Sequence, residues 1–200
     1  MKIILFDFDG VIVDTYKFCY RIINSRDNLS ETEYRARFEG NVNNTPKQKM
    51  TVNKSTNPFD FVGQYTSELM PCKPNLDLAK VIKKLATNHT LIIISSTVSS
   101  AISEYLKLHN LSQYFTEILG NDIEKSKVKK IQDVLSRYDI LPTNTVLITD
   151  TLGDIKEARE CGVQSIAVTW GYHELRTLQK GNPYKIISNP SEIIDVINAL

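Results

Sequence analysis

The feature that most limits the fold is a series of short apolar runs, at residues 3–6, 91–94, 146–148, 165–168 and 185–187, that end in small, hydroxyl or acidic residues. Runs of this length, rich in Ile and Val, suit strands buried on both faces of a parallel sheet. Helical patterns lie between them: Ala79, Ile82, Lys83 and Leu85, then Ile102, Tyr105, Leu106 and Leu108, then Val128, Ile131, Val134 and Leu135. Strand and helix therefore alternate, which predicts an α/β, doubly wound parallel sheet with right-handed crossovers.

Residues 15–72 break that rhythm. An amphipathic stretch with Phe18, Cys19, Ile22 and Ile23 is followed by a polar, Asn- and Thr-rich segment, 41–58, that carries Lys47, Lys49 and Lys54. The expectation is a core of residues 1–14 and 73–200 with a small helical cap inserted at 15–72, whose middle, 41–58, is mobile. The 200 residues suffice for one such core, and a second full domain would be cramped.

Charge and cysteine content narrow the function classes. With 24 basic and 23 acidic residues, no global field draws the chain to nucleic acid or to an anionic membrane. Cys19, Cys72 and Cys161 are odd in number and widely spaced, which fits neither a disulfide framework nor a zinc site. Reduced thiols and a start lacking a signal-peptide core predict a cytoplasmic protein.

Chemistry concentrates where the runs end. Asp7-Phe8-Asp9-Gly10-Val11 follows the first run, so two carboxylates share one face, roughly 6 to 7 Å apart, where a strand becomes a loop. Gly10 lets the backbone turn sharply. Two other runs end in Ser95-Ser96-Thr97 and in Thr149-Asp150-Thr151-Leu152-Gly153-Asp154. The ligand crevice of a doubly wound sheet lies at these carboxyl ends. Hydroxyls and backbone N–H groups suit phosphate oxygens, and clustered carboxylates suit a hard cation, Mg²⁺ above all.

The ordered set of motifs resembles the haloacid dehalogenase superfamily, in its phosphoglycolate-phosphatase-like branch, over essentially the whole chain. The resemblance implies a Rossmann-like core with a helical cap. In the first motif, residues 7–14, Asp7 would be the nucleophile and Asp9 the general acid and base. Ser95 matches the second motif; with Ser96 and Lys127 it would bind the phosphate. Asp150, followed by Asp154, matches the fourth, implying Mg²⁺ held by Asp7, Asp9, Asp150 and Asp154. The third motif is a lysine, and both Lys125 and Lys127 lie at suitable distances. Lys127 is favoured because it opens an amphipathic helix.

Structural readings stand beside these. Asp154 could be a helix N-cap, Ser95 a turn residue, and Ser96 or Thr97 a cap. Asp14 is assigned a structural role, Cys161 a place in the core, and His89, His109 and His173 surface or loop positions. The expected activity is Mg²⁺-dependent hydrolysis of a small phosphorylated metabolite. Rivals are a sugar-phosphate mutase of the same family and a non-catalytic phosphoaspartate switch. Asp9 speaks against the switch, which has no use for a built-in acid and base.

Overall fold

The computed structural model describes residues 1–41 and 59–200; residues 42–58, with Lys47, Lys49 and Lys54 and nearly all of the expected mobile middle, lie outside the described residues. Strand β1 (Ile3–Phe6) is followed by helices α1 (Tyr16–Asp27), α2 (Glu31–Ala36), α3 (Phe61–Leu69) and α4 (Leu76–Leu85). Then come β2 (Thr90–Ile94), α5 (Ser99–Leu108), β3 (Glu117–Leu119), α6 (Lys127–Arg137) and β4 (Thr145–Thr149). The chain closes with α7 (Leu152–Glu160), β5 (Gln164–Val168), α8 (Leu175–Gln179), β6 (Lys185–Ile187) and α9 (Glu192–Ala199).

The strands form one parallel sheet in the order β3-β2-β1-β4-β5-β6, which is the doubly wound α/β arrangement that the sequence predicts. Chain order reverses beside β1, so a crevice opens above β1 and β4 at the carboxyl edge. Register sets the level of that edge: Phe6 pairs with Ile93 on one side and Ile148 on the other. The residues that follow these three strands therefore emerge side by side.

Alternation along each strand feeds two apolar layers. Ile4, Phe6, Leu91, Ile93, Val146 and Ile148 face α4, α5 and α9, whereas Ile3, Leu5, Ile92, Ile94 and Leu147 face α6 and α7. Each fully buried Ile or Leu contributes about 1.5–3 kcal/mol relative to exposure, so both layers hold the sheet flat against its helices. Strand β3 escapes sequence detection because it is three residues long and its first, Glu117, is a carboxylate bound by Arg137 and Tyr138.

Helix phases differ in detail from expectation. In α4 the buried positions are Leu78, Val81, Ile82 and Leu85, and Lys83 points to solvent. Leu108 is exposed at the end of α5. His173 lies in a loop, as expected, but is buried there, its Nδ1 accepting from the Leu152 N–H at 2.9 Å while Nε2 meets the Arg35 carbonyl at 2.9 Å. The three cysteines are free thiols, Cys161 half-buried against the second layer and not fully in the core. Among the described residues no helix is long and apolar enough to cross a membrane.

Helices α1 to α3 are joined to the sheet by a shared apolar cluster. Phe18, Cys19, Ile22, Tyr34, Tyr65 and Leu69 belong to the same apolar cluster as Ile4 and Phe6. Phe18→Ala should therefore destabilise the whole chain by about 3–5 kcal/mol. Urea unfolding followed by Trp170 fluorescence and by far-ultraviolet circular dichroism checks this, with both signals moving together to a lower midpoint.

Candidate active site

β1 delivers Asp7 to the floor of a cavity of about 250 Å³. Its Oδ1 accepts from the Phe8 N–H at 2.7 Å, and its Oδ2 lies 2.8 Å from the Lys127 ammonium. Phe8 turns the other way, edge-on to Tyr105 at 5.4 Å, and this anchors the loop while Asp9 returns to the cavity side. Gly10 sits at φ +73°, and a Cβ there would strike the Asp150 carboxylate and the Tyr172 ring. Only glycine meets both conditions.

Lys127 is the first residue of α6, capped by the Ser126 side chain, which accepts from the Lys129 N–H at 3.3 Å. The helix start aims its buried ammonium at Asp7 and, at 2.6 Å, at Asp154 Oδ2. Thr149 Oγ1 donates to the same oxygen at 2.7 Å. Asp154 is not the helix cap: Thr151 caps α7, accepting from the Asp154 N–H at 3.3 Å, which leaves the Asp154 carboxylate for Lys127.

Electrostatics follow from burial. Burial pushes the Asp7 carboxyl well up against the pull of Lys127, and repulsion from Asp154 and Asp150 adds to the rise. For Asp154 burial is the largest influence and raises the pKa, but the Lys127 charge together with hydrogen bonds to Asp7, Lys127 and Thr149 outweighs it and the carboxyl lies below its ordinary value. Lys127 itself is held above the usual lysine range, because Asp154 and Asp7 together exceed the cost of its burial. Asp150 is pushed up to about 7 by burial; its Oδ2 accepts from the Tyr172 N–H at 2.6 Å. Its Oδ1 is buried and has no hydrogen-bond partner among the described residues.

The third wall comes from β2. Ser95 Oγ accepts from the Thr97 N–H at 3.0 Å and stands 3.5 Å from Asp9 Oδ2. Thr97 Oγ1 donates to Asp9 Oδ2 at 2.7 Å, and Tyr65 of α3 donates to Asp9 Oδ1 at 2.6 Å. Neither Ser96 nor Thr97 caps α5: its N-cap is Val98, with no side-chain hydrogen bond. Asp7, Asp9, Ser96, Lys127 and Asp154 line the cavity, while Ser95 and Asp150 are fully buried and are not part of its lining. Lys125, exposed at its rim, precedes the helix as expected. Asp14 is exposed and accepts from the Tyr16 N–H at 3.2 Å, a local structural contact.

Several functional positions were not legible. Lys130 is buried and donates to the Ser95 carbonyl at 2.6 Å; burial and the nearby Lys127 lower its pKa to about 8. Read as part of a solvated charge run, it would be missed, but its position three residues after Lys127 and one before Ile131 puts it on the buried face. Thr97 is marked locally as a hydroxyl at a strand end, but its bond to Asp9 is not, and Tyr65 has no local signal, since Asp9 is distant in sequence. Glu157, buried in the cavity wall and accepting from Asn41 at 2.7 Å, lies one turn beyond Asp154.

The donor set suits a hard cation, because Asp150 offers a buried oxygen with no partner among the described residues, close to the Asp7 carboxylate. Among the described residues no three acidic, histidine or cysteine side chains already form a metal cluster. Asp154 is engaged by Lys127 and Thr149.

Residues 4–168 match the family model described as haloacid dehalogenase-like hydrolase. The chain belongs to that family. It is 22% identical over 214 residues to the phosphoglycolate phosphatase of Synechococcus elongatus, covering 100% of this chain and 99% of that one. It is 23% identical over 210 residues to the phosphoglycolate phosphatase of Aquifex aeolicus, covering 99% and 97%. A haloacid dehalogenase-like hydrolase from Streptococcus pneumoniae shares the fold with TM-score 0.77 at 22% identity, covering 98% of each chain. CbbY from Rhodobacter sphaeroides, solved with xylulose-1,5-bisphosphate, shares it with TM-score 0.76 at 16% identity, covering 96% of each. The chain is thus an enzyme of the phosphoglycolate-phosphatase-like branch, a phosphatase of this hydrolase family.

Lys127→Met would leave Asp7 and Asp154 facing each other with no shared counter-ion. The expected loss is about 3–5 kcal/mol of unfolding free energy by urea titration, against about 1 or less for exposed Lys125→Ala. Glu157 gives a pH signature. Burial pushes its pKa up from 4.5 to about 7, so the folded state binds the extra proton between those values and stability falls as pH rises through them. The melting temperature of Glu157→Gln relative to wild type should therefore climb from pH 4.5 to pH 7.

Proposed function

We propose that the chain hydrolyses a small phosphate monoester through an aspartyl-phosphate on Asp7. The observation that carries this reading is the pair of carboxylates on one cavity floor with different partners: Asp7 is gripped by a buried ammonium, Asp9 by neutral hydroxyls. One is held to attack and its neighbour to handle protons.

In the first step an Asp7 carboxylate oxygen forms a bond to phosphorus and the ester P–O bond breaks. The departing oxygen takes the proton of Asp9 and leaves as the alcohol. In the second, a water attacks the phosphorus of the aspartyl-phosphate and gives a proton to Asp9, which frees inorganic phosphate and restores both carboxyls. Lys127 fixes Asp7 and, with the hydroxyls of Ser95 and Ser96, holds phosphoryl oxygens as charge redistributes. Mg²⁺ would be held by Asp7, the Asp9 backbone carbonyl and Asp150, with Asp154 at its edge, and would supply the charge that lets one anion approach another.

Residues 1–14 and 73–200 act in this reading as the core, and 15–72 as a cap over the leaving group. The substrate is a small phosphorylated metabolite, in keeping with the phosphoglycolate phosphatases that the chain resembles. Free thiols fit a reducing cytoplasm.

Release of inorganic phosphate from a generic aryl phosphate tests the reading. Turnover should vanish on chelation, return with Mg²⁺, and be abolished by Asp7→Asn, with an unchanged circular dichroism spectrum. Asp150→Ala should need far more metal. An Asp7→Asn variant that released phosphate at the normal rate would overturn the covalent route, and transfer to a sugar phosphate with little free phosphate would favour a mutase.

A further inference from the structure

Tyr65 reaches the reacting groups from outside the sheet. It lies on α3, its ring is buried against Phe18 at 5.6 Å and Phe61 at 5.7 Å, and its hydroxyl donates to Asp9 Oδ1 at 2.6 Å. Thr97 Oγ1 holds the other oxygen at 2.7 Å. Burial keeps the Tyr65 phenol well above its ordinary pKa, so it carries its proton at any working pH.

We propose that Tyr65 is a positioning residue, whose hydroxyl clamps the Asp9 carboxyl in the orientation from which it protonates the leaving oxygen. A carboxyl on a side chain with two rotatable bonds has no fixed direction of its own. Here each oxygen has a dedicated hydroxyl, one from the loop after β2 and one from α3. Whichever oxygen carries the proton, the other remains a carbonyl acceptor, so at least one of the two hydroxyls keeps its hold through both steps. Removing the Tyr65 hydroxyl leaves Oδ1 unheld and lets the carboxyl rotate about its remaining anchor. A misplacement of about 1 Å is enough to cost a large factor in rate.

The inference rests on the role given to Asp9 above, and the leaving-group dependence of the rate separates the two. Tyr65→Phe keeps the ring and its packing and deletes one oxygen. The parameter to follow is kcat/KM, which reports steps up to departure of the leaving group, across phosphate monoesters from p-nitrophenyl phosphate to simple alkyl phosphates. A nitrophenolate departs with little help from an acid, whereas an alkoxide needs the proton. Tyr65→Phe should lower kcat/KM about threefold or less for p-nitrophenyl phosphate and about tenfold or more for alkyl phosphates, steepening the plot of log kcat/KM against leaving-group pKa. The slope does not depend on how much of the variant is folded, because inactive protein lowers every ester alike. Parallel plots for variant and wild type, with or without a uniform drop, would overturn the proposal. If Asp9→Asn also keeps full activity on alkyl phosphates, the acid role itself fails; if Asp9→Asn is inactive and the plots are parallel, only the part given to Tyr65 falls.

Discussion

The Lys127 ammonium between Asp7 and Asp154 is the interaction on which the rest of the site depends. Three buried charges at 2.6 and 2.8 Å are tolerable only because each completes another. Desolvating two carboxylates without a cation would push protons onto them or splay them apart. The ammonium thus works against the rise that burial imposes on the Asp7 pKa and draws α6, α7 and β1 to a common point. Ser126 contributes from one residue away, since its cap fixes where α6 begins and hence where Lys127 points.

Around that triad the sheet acts as a levelling device. Parallel register brings the ends of β1, β2 and β4 to one height, and each supplies a different chemistry: acids from β1, hydroxyls from β2, a buried acid pair from β4. Backbone demands reinforce the choice of residues. Gly10 is fixed by its positive φ and by the Asp150 carboxylate behind it. His173 ties the Leu152 N–H at the start of α7 to the Arg35 carbonyl in α2, so one buried ring joins two elements that border the site.

Much of this was legible because buried parallel strands leave an unmistakable mark. The runs ending at Phe6, Ile94 and Ile148 located Asp7, Ser95 and Asp150, and the start of α6 separated Lys127 from Lys125. Illegible parts share a cause: their meaning lies in a partner far along the chain. Tyr65 and Asp9 meet across 56 positions, and Lys130 and the Ser95 carbonyl across 35. Glu117 conceals β3 because a carboxylate at a sheet edge reads as loop until Arg137 and Tyr138 are seen beside it.

The placement of β1 has a consequence for how the molecule is made. It precedes the other described strands in the chain and sits in the middle of the sheet, where Ile3 pairs with Thr90 on one side and Thr145 on the other. Until Thr90–Ile94 has been synthesised, an Ile-Ile-Leu-Phe segment waits with both edges open, and one edge stays open until Thr145–Thr149 follows. Such non-local pairing is slow to close and prone to aggregate while it waits. The pairing with β4 that closes the second edge of this strand also brings Asp7 beside Asp150, so that part of the site depends on the later, long-range contact.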